Sequence, residues 1–330
     1  MICKRLVRHP GARLAWRAAA LLLASAWLAL AGSLAQAQER VALLLSERGG
    51  HYSEFIDAFY RALNEPPSNG RTFTAIEMNA NTDDGSDPRL AGVSVVVAVG
   101  VQAMRAASGW DNAPPTLNVL VPRTHYERVV TETGRRRARA QFSAIYLDQP
   151  VSRQLNLLHE LMPGKRRVAT VLGPDSEFYL PRLRAAVARS GHELVSEEVS
   201  AEFEVIPALT RLLGSADVFL ALPDSVVFTR ESARSILLTS YRYRKPLVGF
   251  SQAYVSAGAL AAVFSTPSQI ARQTVDILRA LPPGRSALPA PTYPTFFSIA
   301  VNRAVARSFV LKPPADGVLH AVLASQPEGE

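Results

Sequence analysis

An α/β fold of two doubly wound parallel-sheet lobes is predicted by three features of this 330-residue sequence. Short apolar runs alternate with amphipathic stretches from Val41 onward, the order expected of strand–helix–strand units. The runs are continuous rather than alternating in polarity, as in strands covered on both faces. A second series of the same kind begins after Phe142–Leu147, so one sheet is followed by another.

The elements follow in order. Val41–Leu45 is a first strand, Ser46–His51 a glycine-containing turn, and Ser53–Leu63 a helix with Phe55, Ile56, Phe59 and Leu63 on one side. Thr72–Met78 and Val93–Val99 are the next strands. Gly100 ends the latter, a short helix spans Val101–Ala107, and Thr116–Val121 is a strand closed by Pro122. In the second series Val151, Leu155, Leu158 and Leu161 recur at helical spacing until Met162-Pro163-Gly164 stops them. Arg167–Leu172, Leu194–Val199, Asp217–Leu222 and Pro246–Phe250 are strands, and Val205–Leu213 and about Val226–Tyr241 are helices. Pro181 sets the start of the helix after Gly173-Pro174, or makes its first turn irregular. Gly258–Phe264 is a strand or crossover. Thr266-Pro267-Ser268-Gln269 is a capping-box start for a helix whose apolar face is Ile270, Thr274, Ile277, Leu278 and Leu281. Thr295–Val301 is the last strand.

The N-terminus reads as an export signal. Lys4, Arg5, Arg8, Arg13 and Arg17 precede the apolar run Ala18–Leu30, and Ala35-Gln36-Ala37 offers small residues for cleavage. Residues 1–37 are therefore excluded from the fold as a signal peptide cleaved after Ala37. They carry five of the 36 basic residues and no acid, so the net charge of +8 falls to +3 for the remainder. That mild balance excludes a nucleic-acid footprint, which needs clustered cations. Arg135, Arg136, Arg137 and Arg139 form one basic run, read as a solvated loop with anionic-surface contact as the alternative. The single cysteine, Cys3, lies ahead of the apolar run, so no lipid anchor, disulfide or thiol chemistry is expected downstream.

Catalytic signatures are missing. Tyr254-Val255-Ser256-Ala257-Gly258 lacks the first glycine of a nucleophile elbow, and no phosphate-cradling glycine loop occurs. No two of the six histidines have the spacing that pairs metal ligands on a helix. No enzyme activity, cofactor or metal is expected.

Ile145-Tyr146-Leu147-Asp148-Gln149-Pro150 with Gln154 and Leu155, followed by Leu161-Met162-Pro163-Gly164-Lys165-Arg166-Arg167-Val168, resembles the type I substrate-binding proteins of ABC importers, in their tryptophan/tyrosine-type branch. Lys245-Pro246-Leu247-Val248-Gly249, Gly258-Ala259-Leu260-Ala261, Arg272-Gln273 and Val301-Asn302 extend the resemblance over residues 41–312. Pro223-Asp224-Ser225, Val101 and Ala271 depart from the family pattern at ligand loops or near them.

The resemblance implies a three-crossing hinge. One lobe would comprise residues 38–146 with 265–285, the other 147–264 with 286–322, and 323–330 would be a frayed tail. Ligands of such sheets bind beyond the carboxyl ends of the strands. That rule selects Ser46, Glu47, His51, Tyr52, Gly100, Val101, Gln102 and Arg123 in the first lobe. In the second it selects Pro174, Asp175, Ser176, Asp224, Ser225, Ser251, Gln252 and Tyr254. Helix starts at Val101, Ser176 and Ser225, with Arg123, would favour an anionic group, and Asp175, Asp224 or Glu47 an amine. The implied function is periplasmic capture of a small polar or anionic solute, amino-acid-like in one version, for delivery by a monomer to an ABC permease. The alternative is ligand sensing through a membrane receptor or kinase.

Overall fold

The computed structural model describes residues 39–66, 71–111, 113–134, 141–282 and 287–326. The segment expected to be a signal peptide, the basic run at residues 135–139 and residues 327–330 lie outside them. The expected fold class is borne out, since two separate sheets form. The first joins β1 (Glu39–Leu45), β2 (Phe73–Asn79), β3 (Val93–Val99), β4 (Thr116–Val121) and β5 (Phe142–Tyr146) in the order β2-β1-β3-β4-β5, all parallel. The second joins β6 (Arg167–Leu172), β7 (Glu193–Glu198), β8 (Val218–Leu220), β9 (Leu247–Gly249), β10 (Ala261–Phe264) and β11 (Ser298–Val301) in the order β11-β10-β9-β8-β6-β7. Its edge strand β11 alone runs antiparallel to its neighbour.

Strand side chains alternate between two cores, as a pleat requires. On β1, Val41, Leu43 and Leu45 face one cluster while Ala42 and Leu44 face another. On β6, Val168 and Leu172 face one cluster while Ala169 and Val171 face its opposite. Neither face meets water, which is why these runs carry no polar alternation.

Eleven helices among the described residues cover the sheets. They are α1 (Gly50–Asn64), α2 (Val101–Ser108), α3 (Arg123–Glu132), α4 (Val151–Leu161), α5 (Leu180–Arg189), α6 (Glu202–Leu213), α7 (Arg230–Arg242), α8 (Gln252–Ala257), α9 (Pro267–Ala280), α10 (Arg303–Ser308) and α11 (Asp316–Ser325). The capping box of α9 forms, with Thr266 Oγ1 accepting from the Gln269 amide and Gln269 Oε1 accepting from the Thr266 amide. Pro122, read as closing a strand, and Pro150 are the residues that admit α3 and α4, because proline tolerates a helix entry. Pro181 lies in the first turn of α5, behind a 3₁₀ turn at Glu177–Tyr179. The α7 helix starts at Arg230 rather than Val226, because Asp224 holds Val226 and Val227 in a turn first.

The chain passes between the sheets three times: after β5 through Leu147–Pro150, after β10 through Phe264–Thr266, and ahead of β11. Two expected boundaries need correction. Residues 288–293 belong with the first sheet, since Thr292 bridges Ile145, Ser143 Oγ donates to the Pro289 carbonyl at 2.6 Å, and Leu288 enters the first core. The third passage therefore falls near Pro294–Phe297, not at residue 286. Of the tail expected to fray, 323–330, the first residues are helical, for α11 runs to Ser325 with Leu319 and Leu323 buried, and residues 327–330 lie outside the described ones.

Candidate functional site

The three passages are stitched side by side. Gln149 Nε2 donates to Ser265 Oγ at 2.9 Å, and Ser265 Oγ donates to the Phe296 carbonyl at 2.6 Å. Arg153 reaches from α4 to Gln149 Oε1 and to the Pro294 carbonyl. Burial lowers the Arg153 guanidinium to about 10, so this charge sits inside the hinge.

Beside that hinge a cavity of about 220 Å³ opens between the lobes. It lies past the carboxyl ends of β4 and β5 on one side and of β8, β9 and β10 on the other. Pro122, Leu147, Pro223, Phe250 and Phe264 give it apolar walls, and Asp148, Gln149, Gln154, Ser251 and Ser265 give it polar ones. A narrower chamber continues from it, shared at Asp148, Gln149, Gln154 and Pro223 and closed by Tyr179, Arg182 and Tyr293.

Three wall groups are poised for a guest. Asp148 Oδ2 accepts from the Arg123 amide at 2.5 Å. Burial raises the Asp148 carboxyl above the ordinary carboxylate range, opposed by that amide, by its own amide and by the Arg123 charge. Gln154 is 4 % exposed, and its Oε1 has no hydrogen-bond partner among the described residues. The Tyr179 hydroxyl is likewise buried without a partner among the described residues, and burial pushes its pKa far above that of an ordinary phenol. Buried polar atoms left open in this way are rare, and each asks for a water or a ligand.

Of the sixteen residues selected by the strand-end rule, Ser251 lies on the wall of the main cavity. The others are placed elsewhere or are occupied by the protein itself. Asp224 is 7 % exposed and its carboxylate takes four donors. The amides of Val226 (2.9 Å) and Val227 (3.1 Å) reach Oδ1, and the Asp175 amide (3.1 Å) and Ser176 hydroxyl (2.8 Å) reach Oδ2. Asp175 in turn accepts from the amide and hydroxyl of Ser225 and from Arg128. Asp175, Ser176, Asp224 and Ser225 thus tie two loops together, and Pro174 is an exposed member of one of them. The expectation that Asp224 faces the solute is corrected: its oxygens are saturated.

Arg123 is also committed. Its Nε donates to Glu127 at 2.8 Å, it bonds the Tyr293 hydroxyl, and its guanidinium lies 5.4–5.8 Å from the ring centres of Tyr146, Tyr179 and Tyr293. Burial works to raise Glu127, but Arg123 and Arg182 together hold it below the ordinary range. In the first lobe, Ser46 Oγ accepts from the Ala103 amide at 2.9 Å and so caps the start of α2 that Val101 was expected to offer a solute. Gly100 has φ of 92°, and a Cβ there would stand 2.6 Å from Ser46 Oγ and 2.7 Å from the Tyr52 ring. Glu47 and His51 are exposed, His51 lies against Tyr52, and Gln102 bonds Asn81. In the second lobe Gln252 is exposed, and Tyr254 packs on Phe250 and Phe228 with its hydroxyl pushed up to about 12 by burial.

Ten wall residues were missed by strand-end reasoning, among them Leu147, Asp148, Gln149, Gln154, Phe250 and Ser265. A signal existed: Leu147-Asp148-Gln149-Pro150 stands out as a motif, but it reads as a connection.

No protein-family model matches the sequence, and no curated protein does. Solved structures do. A ligand-free, open substrate-binding protein with adhesive properties from Clostridium difficile is 17% identical, with a TM-score of 0.64 over 84% of this chain and 97% of that one. An ABC domain in complex with L-Trp from Streptococcus pneumonia is 14% identical, with a TM-score of 0.56 over 86% of this chain and 98% of that one. A conserved domain protein from Vibrio cholerae is 18% identical, with a TM-score of 0.55 and the same coverage. The likeness establishes the fold, that of the two-lobed type I periplasmic binding proteins.

Proposed function

We propose that this protein is a non-enzymatic periplasmic receptor that closes two lobes around a small solute and delivers it to an ABC permease. The observation that carries the reading is the cavity itself. It lies beyond the carboxyl ends of strands from both sheets and is floored by the passages that connect them. A solute there touches both lobes at once, so binding energy favours the closed arrangement, which is what a hinge-closing receptor requires. The first lobe then comprises residues 39–146 with 266–293, and the second 147–264 with 298–326. The leader at residues 1–37 supports export, and the solute-binding proteins of the same fold support transport. The walls combine apolar surface with a few polar groups, the pattern of a small-molecule site.

Native mass spectrometry of protein from its host, paired with small-angle scattering before and after unfolding and refolding to strip the solute, tests this. A retained small molecule and a larger radius of gyration once it is removed are expected. Identical scattering in both states, with no molecule retained, would overturn the reading.

A further inference from the structure

We propose that the solute is a protonated amine with an apolar or aromatic body, its ammonium held by Asp148 and Gln154 at the hinge. The inference rests on the cleft being the binding site and goes on to name what it selects.

The main chamber has one ionisable wall residue among those described, Asp148. Gln154 stands on the walls of both chambers and offers a buried acceptor, Oε1, that nothing in the described protein uses. The Gln149 amide is spent on Ser265 and Arg153, so it does not compete for the same guest. An ammonium has three donors and no acceptor, which matches a chamber lined by a carboxylate and by an amide whose oxygen has no other partner among the described residues. A solute carboxylate would meet the Asp148 charge instead, in a low-dielectric chamber where like charges repel strongly.

Among the described residues no cation lines the main chamber. The nearest buried one, Arg123, is held by Glu127 and three tyrosine rings. Arg182 borders the narrower chamber, but it is half exposed and paired with Glu127 at 3.2 Å. The rest of the main wall is apolar, with Leu147, Phe250 and Phe264 placed to cover a flat or aliphatic body.

Calorimetric titration with three probes that share one phenol ring separates the classes: tyramine, L-tyrosine and 4-hydroxyphenylacetate. Tyramine should bind at least about tenfold tighter than L-tyrosine, and 4-hydroxyphenylacetate should not bind. Asp148→Asn should weaken tyramine by about tenfold or more, the usual cost of a lost charge-assisted contact, while the melting temperature does not fall. Gln154→Leu should weaken tyramine by a smaller factor. Equal or tighter binding of L-tyrosine or the carboxylate overturns the assignment, as does unchanged tyramine affinity in Asp148→Asn. Because tyramine stands in for an unknown amine, failure to bind it is decided by the host-purified protein. A retained basic solute, lost in Asp148→Asn, supports the class. A retained solute without a basic nitrogen overturns the class and leaves the receptor reading intact. No retained solute and no probe bound overturns both.

Discussion

Arg128 on α3 reaches across the cleft to Asp175 on the opposite lobe, its Nη2 3.0 Å from Oδ1. One residue earlier, Glu127 meets Arg182 of the second lobe at 3.2 Å. Both ion pairs are partly exposed to solvent. They tie the two lobes to each other, so on the proposed function each should act on lobe opening rather than on the fold of either lobe.

Arg128 is 38 % exposed at its side chain, so its pair with Asp175 is worth little by itself, roughly 0.2–1 kcal/mol. Arg128→Ala should therefore weaken solute binding by only about two- to fourfold, and leave the melting temperature within about 2 °C of the parent. Calorimetry across salt concentration checks the cause. The parent's affinity should fall as salt rises, and the variant's should fall less. Identical salt slopes would mean that the pair plays no part in the closed state.

Asp224 predicts the opposite pattern. Replacing it by alanine leaves two amides, the Asp175 amide and the Ser176 hydroxyl without their acceptor in a buried place. The cost should be about 2–4 kcal/mol, seen as a melting temperature lower by roughly 5–10 °C. Solute affinity of the folded fraction should stay within about threefold. A variant that melts like the parent but binds tenfold more weakly would return Asp224 to the ligand site.

Gly100 is a backbone requirement. Its φ of 92° is unfavourable for any L side chain, and a methyl group would strike Ser46 and Tyr52 together. Gly100→Ala should cost about 2 kcal/mol or more, read as a lower denaturant midpoint with an unchanged slope. A midpoint equal to the parent's would show that Tyr52 can withdraw freely.

Asp148 carries a pH signature. Its folded-state carboxyl is raised above the unfolded value, chiefly by burial, so its stabilising contribution is full below the unfolded value and is lost as pH rises through the folded one. The groups facing it are Arg123 and Glu127 from α3, Tyr179 and Arg182 from the second lobe, and Tyr293 from the hinge. Tyr179 stays neutral through this range, and Glu127 is held low. Without solute, Asp148→Asn should thus melt higher than the parent at pH 7, by about 1–3 °C. The difference should close near pH 4. A variant that melts lower than the parent at pH 7 would show that the carboxylate stabilises the empty cleft.

Much of this molecule could be read in the chain order. Val93–Val99 and Arg167–Leu172 were delimited to the residue, and the Thr266–Gln269 box formed as its sequence implies, because these features depend on neighbours close in the chain. Helices α3 and α8 were missed for the reverse reason. Pro122 and Gly258 look like terminators, and only a partner surface shows whether the chain beyond or before them can pack.

The site was less legible. Of the sixteen residues selected after strands, Ser251 lies on the cavity wall, and sequence cannot say whether a polar side chain there faces a solute or its neighbours. Asp175 and Asp224 are 49 positions apart, and their loops lock only because β6 and β8 are adjacent in the sheet. Gln149 and Ser265 are 116 positions apart and meet only where the passages run side by side. By itself, then, the sequence determined which segments would be buried strands and helices, since burial patterns are local and periodic. Which carboxylate would be spent on backbone amides and which left facing an open chamber was decided by tertiary structure, because that depends on how many donors distant loops bring to each oxygen.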